Sequence, residues 1–98
     1  KPRVPEIFEL KQNYPNPFNP VTTIDFSLVS NGVVSITLYD LAGRKVRELL
    51  DDNLEAGYHS FTMNAKDLSS GIYLYAIDIK DKNGSYIFSS TRKMALIK

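Results

Sequence analysis

The chain has no cysteine, no tryptophan and a single histidine, His59. Without cysteine there is neither a disulfide framework nor a thiolate metal site, although this does not fix the compartment. No apolar run approaches the roughly 20 residues that a bilayer-spanning helix needs. Lys1-Pro2-Arg3-Val4-Pro5-Glu6 lacks the apolar core of a secretory leader, so we expect any exported form to be a piece of a longer precursor. Charge of one sign is missing too. Twelve Lys and Arg against eleven Asp and Glu leave a net charge of +1, too weak a field to favour nucleic acid or an anionic membrane. Gly-rich phosphate loops, sequence repeats and low-complexity tracts are absent.

What remains is ordinary for a globular domain: 98 residues, 43% hydrophobic and 23% charged. Such a chain forms one domain and buries roughly 60–65% of its unfolded surface. All five prolines lie in the first twenty residues, three of them in Asn13-Tyr14-Pro15-Asn16-Pro17-Phe18-Asn19-Pro20. Each proline fixes its own φ, removes a donor and keeps the preceding residue out of the helical region. The segment therefore reads as a stiff, extended or turning arm. Tyr14 and Phe18 are its expected apolar anchors against a neighbouring sheet. It serves either as a rigid loop closing one end of the core or as a recognition surface.

Residues 1–7 read as a linker and residues 8–98 as the domain. Ile7-Phe8-Glu9-Leu10 is a short strand candidate. Ile24, Phe26 and Leu28 alternate with Thr23, Asp25 and Ser27, the period of a half-buried strand. Asn31-Gly32 predicts a two-residue hairpin into the strand carrying Val34, Ile36 and Leu38. Asp40-Leu41-Ala42-Gly43 is the next turn. Lys45 to Leu50 is a strand or a short helix, with the β context favouring a strand bulged at Leu49-Leu50. Asp51 to Ala56 reads as a polar loop, and Tyr58 to Met63 as a strand. A single helical turn with Leu68 as a plug precedes Gly71, which opens the longest apolar segment. Both faces of that segment, from Ile72 to Ile79, are apolar, so it is expected at the centre of a sheet. Asn83-Gly84 marks a second hairpin. A last strand runs from Tyr86 to Ile97, with a break near Ser89-Ser90. The fold class is all-β, an immunoglobulin-like antiparallel β-sandwich of about seven strands, with a small closed barrel as runner-up.

Reactive constellations are hard to find. His59 shares a face with Phe61 and Met63 and has no paired acid or nucleophile in view, so it reads as a core-edge histidine. Asp51-Asp52 lacks the alternating oxygen ligands of a calcium loop. Asn83-Gly84-Ser85 matches a glycosylation sequon, but the same residues make a turn. Arg44, Lys45 and Arg47 read as an exposed strand face. The six tyrosines invite a sugar-stacking reading; against it, Tyr73 and Tyr75 fit in or beside the core with hydroxyls on backbone partners. Neither enzyme activity, metal nor cofactor is expected. Thr91-Arg92-Lys93-Met94-Ala95-Leu96-Ile97-Lys98 is a charged edge strand or a basic tail offered to a receptor.

Four blocks, in order, resemble a known family. They are Tyr14-Pro15-Asn16-Pro17-Phe18-Asn19-Pro20 with Thr22, Thr23, Ile24 and Phe26; Leu38-Tyr39-Asp40-Leu41-Ala42-Gly43-Arg44-Lys45-Val46; Ala56-Gly57-Tyr58-His59 on to Leu68, Gly71, Ile72 and Tyr73; and Lys93-Met94-Ala95-Leu96-Ile97-Lys98. Together, over roughly residues 8–98, they resemble the type A C-terminal sorting domain of the type IX secretion system of Bacteroidetes and relatives. The immunoglobulin-like domain of flagellar-hook-capping proteins shares several blocks. Two departures stand out: Met63 stands where the family often has Trp, and Asn64 where it has an acid.

The resemblance implies a non-catalytic address label for an upstream cargo in the same chain. Its partners would be the type IX machinery and a sortase-like cysteine peptidase that cuts near residues 1–8. The cargo would pass through the periplasm and end secreted or anchored at the cell surface. Signal or recognition positions implied are Tyr14, Pro15, Asn16, Pro17, Phe18, Asn19, Pro20, Gly43, Arg44, Gly71, Tyr73, Lys93, Met94, Leu96 and Lys98. The expected mode is presentation of the arm and the terminal edge strand, by strand addition. The other reading is a carbohydrate-binding or spacer module of a polysaccharide-degrading enzyme.

Overall fold

The computed structural model describes residues 4–98. Alternating apolar residues give seven strands: β1 (Glu9–Leu10), β2 (Val21–Leu28), β3 (Gly32–Tyr39), β4 (Lys45–Leu54), β5 (Gly57–Asn64), β6 (Gly71–Lys80) and β7 (Tyr86–Leu96). They form two antiparallel sheets, ordered β1-β2-β5 and β4-β3-β6-β7. Ile24, Phe26 and Leu28 face Val34, Ile36, Leu38, Tyr75, Ile77 and Ile79 across the buried core. Each such buried side chain contributes roughly 1.5–3 kcal/mol. This is the expected immunoglobulin-like sandwich, with β4 beside β3 rather than on the β1-β2-β5 sheet where a constant-type domain keeps its fourth strand. Tyr73 adds a tyrosine corner: its hydroxyl donates to the Ser69 carbonyl at 2.6 Å, four residues upstream at the β5–β6 corner.

β6 lies inside its sheet between β3 and β7, as its apolar run predicts. The expected bulge in β4 is present. Ile36 pairs with Leu50 and Thr37 with Glu48, which leaves Leu49 unpaired; a second shift skips Val46. Leu68 packs half-buried on the core as expected, in a turn closed by its amide on the Ala65 carbonyl.

Both real hairpins use one device. Asp40 and Asp81 each accept from two backbone amides, those of Ala42 and Arg44, and of Asn83 and Ser85. Gly43 and Gly84 then take φ of 87° and 84°. This is the three-residue hairpin, a type I turn followed by a left-handed glycine.

Four expectations need correction. Asn31-Gly32 is no hairpin: β2 and β3 lie in different sheets. A two-residue type I′ turn needs positive φ at both residues, and neither has it. Instead the Asn31 side chain accepts from the Ala56 amide at 2.8 Å, tying the crossover to the β4–β5 connection. Second, Asp51 to Leu54 continues β4, paired with Gly32 to Ser35. Its polar residues suit an edge strand with a solvated face. Third, β7 runs unbroken through Ser89-Ser90; its irregularity falls at Ile87 instead. Last, of the linker, residues 1–3 lie outside the described residues, while Pro5 is buried and the Ile7 carbonyl accepts from Ser27 Oγ at 3.0 Å. The linker's end therefore packs on the three-stranded sheet.

Gly32 is required for room. A Cβ there would lie 2.9 Å from the Lys80 carbonyl oxygen and 2.9 Å from Ile79 Cγ2. We expect Gly32→Ala to cost about 1–3 kcal/mol, read as a lower thermal midpoint. An unchanged midpoint would show that β3 and β6 are free to move apart here.

Candidate functional site

The proline arm lies along the outer edge of β7. Phe18 forms a parallel bridge with Leu96: its amide donates to the Ala95 carbonyl at 2.9 Å and its carbonyl accepts from the Ile97 amide at 3.0 Å. The Asn16 side chain accepts from the Ala95 amide at 2.9 Å. Gln12 Nε2 donates to the Lys93 carbonyl at 2.6 Å. Side by side, these bonds occupy outward-pointing main-chain groups from Lys93 to Ile97. The expected strand addition at the terminal edge is therefore corrected: the chain's own arm holds that place.

The arm is fixed at its other end by a buried polar knot. Tyr75, fully buried in β6, accepts the Asn13 amide at 2.7 Å and donates to the Lys11 carbonyl at 2.8 Å. Burial holds its phenol above the ordinary tyrosine range. Asn13 Nδ2 donates to Thr22 Oγ1 at 2.9 Å, and that hydroxyl donates to the Pro15 carbonyl at 2.8 Å. No buried side-chain nitrogen or oxygen is left unpaired among the described residues.

Of the two expected anchors, Phe18 is buried, but Tyr14 is 81% exposed. It pairs with Thr23 through the backbone, so its side chain points off the outer face of the three-stranded sheet. The inward residue is its neighbour Asn13, which the sequence reading missed. A signal was available. Thr22 is in phase with Ile24 and Phe26, and Tyr75 with Ile77 and Ile79, so both had to be buried polar groups in need of partners.

Pro15, Asn16, Pro17 and Asn19 are exposed along the arm and Pro20 is half-buried; the three arm Xaa-Pro bonds are cis. Met94 and Leu96 point into the core, Lys93 outward. Lys98 closes the chain on the β5–β6 connection, its amide donating to Ser70 Oγ at 3.0 Å and its ammonium to the Lys66 carbonyl. Gly71 opens β6 opposite Leu96. Gly43 and Arg44 lie in the β3–β4 hairpin. There the Arg44 amide, then its guanidinium, hold the Asp40 carboxyl below the usual range.

Register brings distant blocks together on the outer face of the four-stranded sheet. Lys45 pairs with Tyr39, Tyr39 with Leu74, and Leu74 with Lys93, making one row across all four strands. Ile72 and Ala95 form the row beyond, toward the end of the sheet that carries the arm. Thus Tyr39 and Lys45 of the second block, Ile72 of the third and Lys93 and Ala95 of the fourth meet on one face, while Ala56 to His59 of the third lie at the far end of the other sheet. Tyr73 and Tyr75, by contrast, serve the fold.

His59 stacks on Phe26 with ring centroids 5.5 Å apart, and its Nε2 lies 2.8 Å from the Glu55 carbonyl. Both contacts are those of a core-edge residue. Among the described residues no group of three or more His, Asp or Glu is placed to hold a metal ion.

A strapped, two-sheet antiparallel β-sandwich of immunoglobulin-like form is the class of module that fold and surface define. More narrowly, the chain belongs to the secretion system C-terminal sorting domains, whose family model matches residues 12–93. This is the type IX family read from the four blocks. No curated protein matches the chain. Among solved structures, CopC from Methylosinus trichosporium OB3b is similar, with a TM-score of 0.52 and 13% identity over 92% of this chain and 93% of that chain. At that identity the likeness is one of fold.

Tyr75→Phe leaves the Asn13 amide and the Lys11 carbonyl without their buried partner, and we expect a loss of about 1–3 kcal/mol in denaturant unfolding. A pH series gives a second readout. The folded phenol titrates above its unfolded value of 10.0, so its contribution is complete below pH 10 and fades as pH rises through the folded value. Wild type should therefore lose stability above pH 10 more steeply than Tyr75→Phe. Parallel curves would remove Tyr75 from the account.

Proposed function

We propose that this domain is a non-catalytic sorting signal, by which the type IX secretion machinery directs an upstream cargo in the same chain across the outer membrane. The observation that carries the reading is family membership over residues 12–93. The meeting of Tyr39, Lys45, Ile72 and Lys93, from three motif blocks, on one sheet face supports it. In transit the cargo would occupy the periplasm, and it would end secreted or at the cell surface. Removal by a sortase-like cysteine peptidase would fall in the linker before Ile7, whose carbonyl is bonded to Ser27 of the three-stranded sheet.

One observation favours a carbohydrate-binding reading. Tyr14 and Tyr58, 81% and 65% exposed, stand on the outer face of the three-stranded sheet. Between them lie the Ser60–Asp25 and Thr23–Thr62 hydrogen bonds. Retardation in an affinity gel of neutral polysaccharide, lost in Tyr14→Ala with Tyr58→Ala, would support it; no retardation would remove it.

The sorting reading is tested by fusing residues 1–98 to the C-terminus of a periplasmic reporter in a host with the machinery. The reporter should reach the medium or cell surface, and should stay periplasmic in a strain lacking the machinery. A folded reporter retained in both strains would overturn the reading. Deleting Lys93–Lys98 is a blunter probe. It removes Met94 and Leu96 from the core, where truncating one such side chain costs about 2–5 kcal/mol, so we expect it to lower the thermal midpoint as well as export.

A further inference from the structure

The outer face of the four-stranded sheet carries its charges in order. At the arm's end, Lys45 and Lys93 flank Tyr39 and Leu74 in one row. Ile72, 43% exposed, continues the apolar centre. The next row has Thr37 beside Ala76 in its middle and the exposed carboxylate of Glu48 at its β4 edge. Beyond it Asp51, Ser35, Asp78 and Ser89 form an acidic row, and in the row after that Lys80 lies over the Tyr86 ring at 4.8 Å. From strand geometry the two lysines stand about 14 Å apart across the sheet, and the basic and acidic rows about 13 Å apart along it. Among the described residues the ion pairs are Arg44–Asp40 and Arg47–Asp67. Neither involves Lys45, Lys93 or Asp51, so these three charges are unpaired, while the Asp78 carboxylate accepts from Ser89 Oγ at 2.6 Å and keeps its negative charge on the same face.

We infer that this face is a docking surface for a protein whose own surface has the reverse order of charge. Its carboxylates would meet Lys45 and Lys93, its apolar centre would cover Tyr39, Leu74 and Ile72, and its cations would meet Asp51 and Asp78. The inference rests on the sorting-signal reading and names the surface that such a partner reads. Patterned charge selects a protein over other polyanions. An anionic membrane or a nucleic acid laid on the face would gain at the lysine row and be repelled by the aspartate row. A protein can match both rows and also desolvate the apolar centre.

The test uses the reporter fusion with charge reversals on the exposed side chains of Lys45, Lys93 and Asp51. Lys45→Glu with Lys93→Glu, and separately Asp51→Lys, should each lower machinery-dependent export about tenfold or more, with unchanged thermal midpoints of the purified domain. Lys11→Glu with Lys82→Glu makes the same change in net charge elsewhere and should export as wild type. Wild-type export of the lysine-row variant would overturn the inference while leaving the sorting reading intact. So would an equal loss in the Lys11 and Lys82 control. Binding of the purified domain to phosphatidylglycerol vesicles, abolished by the lysine-row reversal, would assign the face to lipid and also overturn it. If the wild-type fusion itself ignores the machinery, the sorting reading fails instead.

Discussion

The structure depends on the strap that the proline arm makes across the edge of β7. An unpaired outer strand is an open template for another chain. Here the arm leaves the three-stranded sheet at β1, reaches over to the four-stranded sheet, pairs with Ala95 and Ile97 through Phe18, and returns to begin β2. Both of its ends are held. Tyr14 pairs with Thr23 at one, and the Pro20 carbonyl takes the Ala65 amide at 2.8 Å at the other. The prolines suit this path because each removes a backbone donor that an irregular segment would struggle to satisfy. The amides of Asn13, Tyr14 and Phe18 each find a partner.

The buried knot beneath the strap explains why polar residues sit in an otherwise apolar interior. Asn13, Thr22 and Tyr75 satisfy one another and the adjoining carbonyls, so none is left with the cost of an unpaired buried group. The knot joins β6, the central strand of one sheet, to the first residues of β2 in the other. It complements the apolar contacts of the core with bonds that define one geometry. On the same side of the sandwich, Phe8 stacks on Phe88 at 5.6 Å and Arg92 Nε reaches the Leu10 carbonyl at 2.6 Å. The same edge is thus closed again beside the strap.

Much of this was legible in the sequence, for physical reasons. Period-two alternation marks Ile24, Phe26, Leu28, Val34, Ile36 and Leu38 because burial on one face is local information. Gly43 and Gly84 are legible because a left-handed turn needs them. Asn31-Gly32 misleads because local chemistry permits a hairpin that tertiary pairing does not use. Tyr14 misleads in another way. Size suggested an anchor, but the arm's backbone pairing with Thr23 turns the tyrosine outward and its small polar neighbour inward. The row of Lys45, Tyr39, Leu74 and Lys93 was out of reach altogether. It depends on three registers between strands far apart in sequence, and those follow from packing rather than from any one segment. For the same reason a net charge of +1 says little about partners, since it averages two rows of opposite sign that the sheet holds apart.

The terminal strand shows how one segment can fill the core and still present side chains outside it. In β7 successive side chains alternate between faces. Met94 and Leu96 therefore fill the core while Lys93 and Ala95 stand outside. The main chain between them is engaged on both sides, by β6 within the sheet and by the arm beyond it. At this end of the strand the outward charge is that of Lys93, set in a row whose other members come from β3, β4 and β6. Recognition of this end of the chain is then recognition of a folded surface rather than of a linear tail. An unfolded copy of the same residues would carry the lysine but not its row.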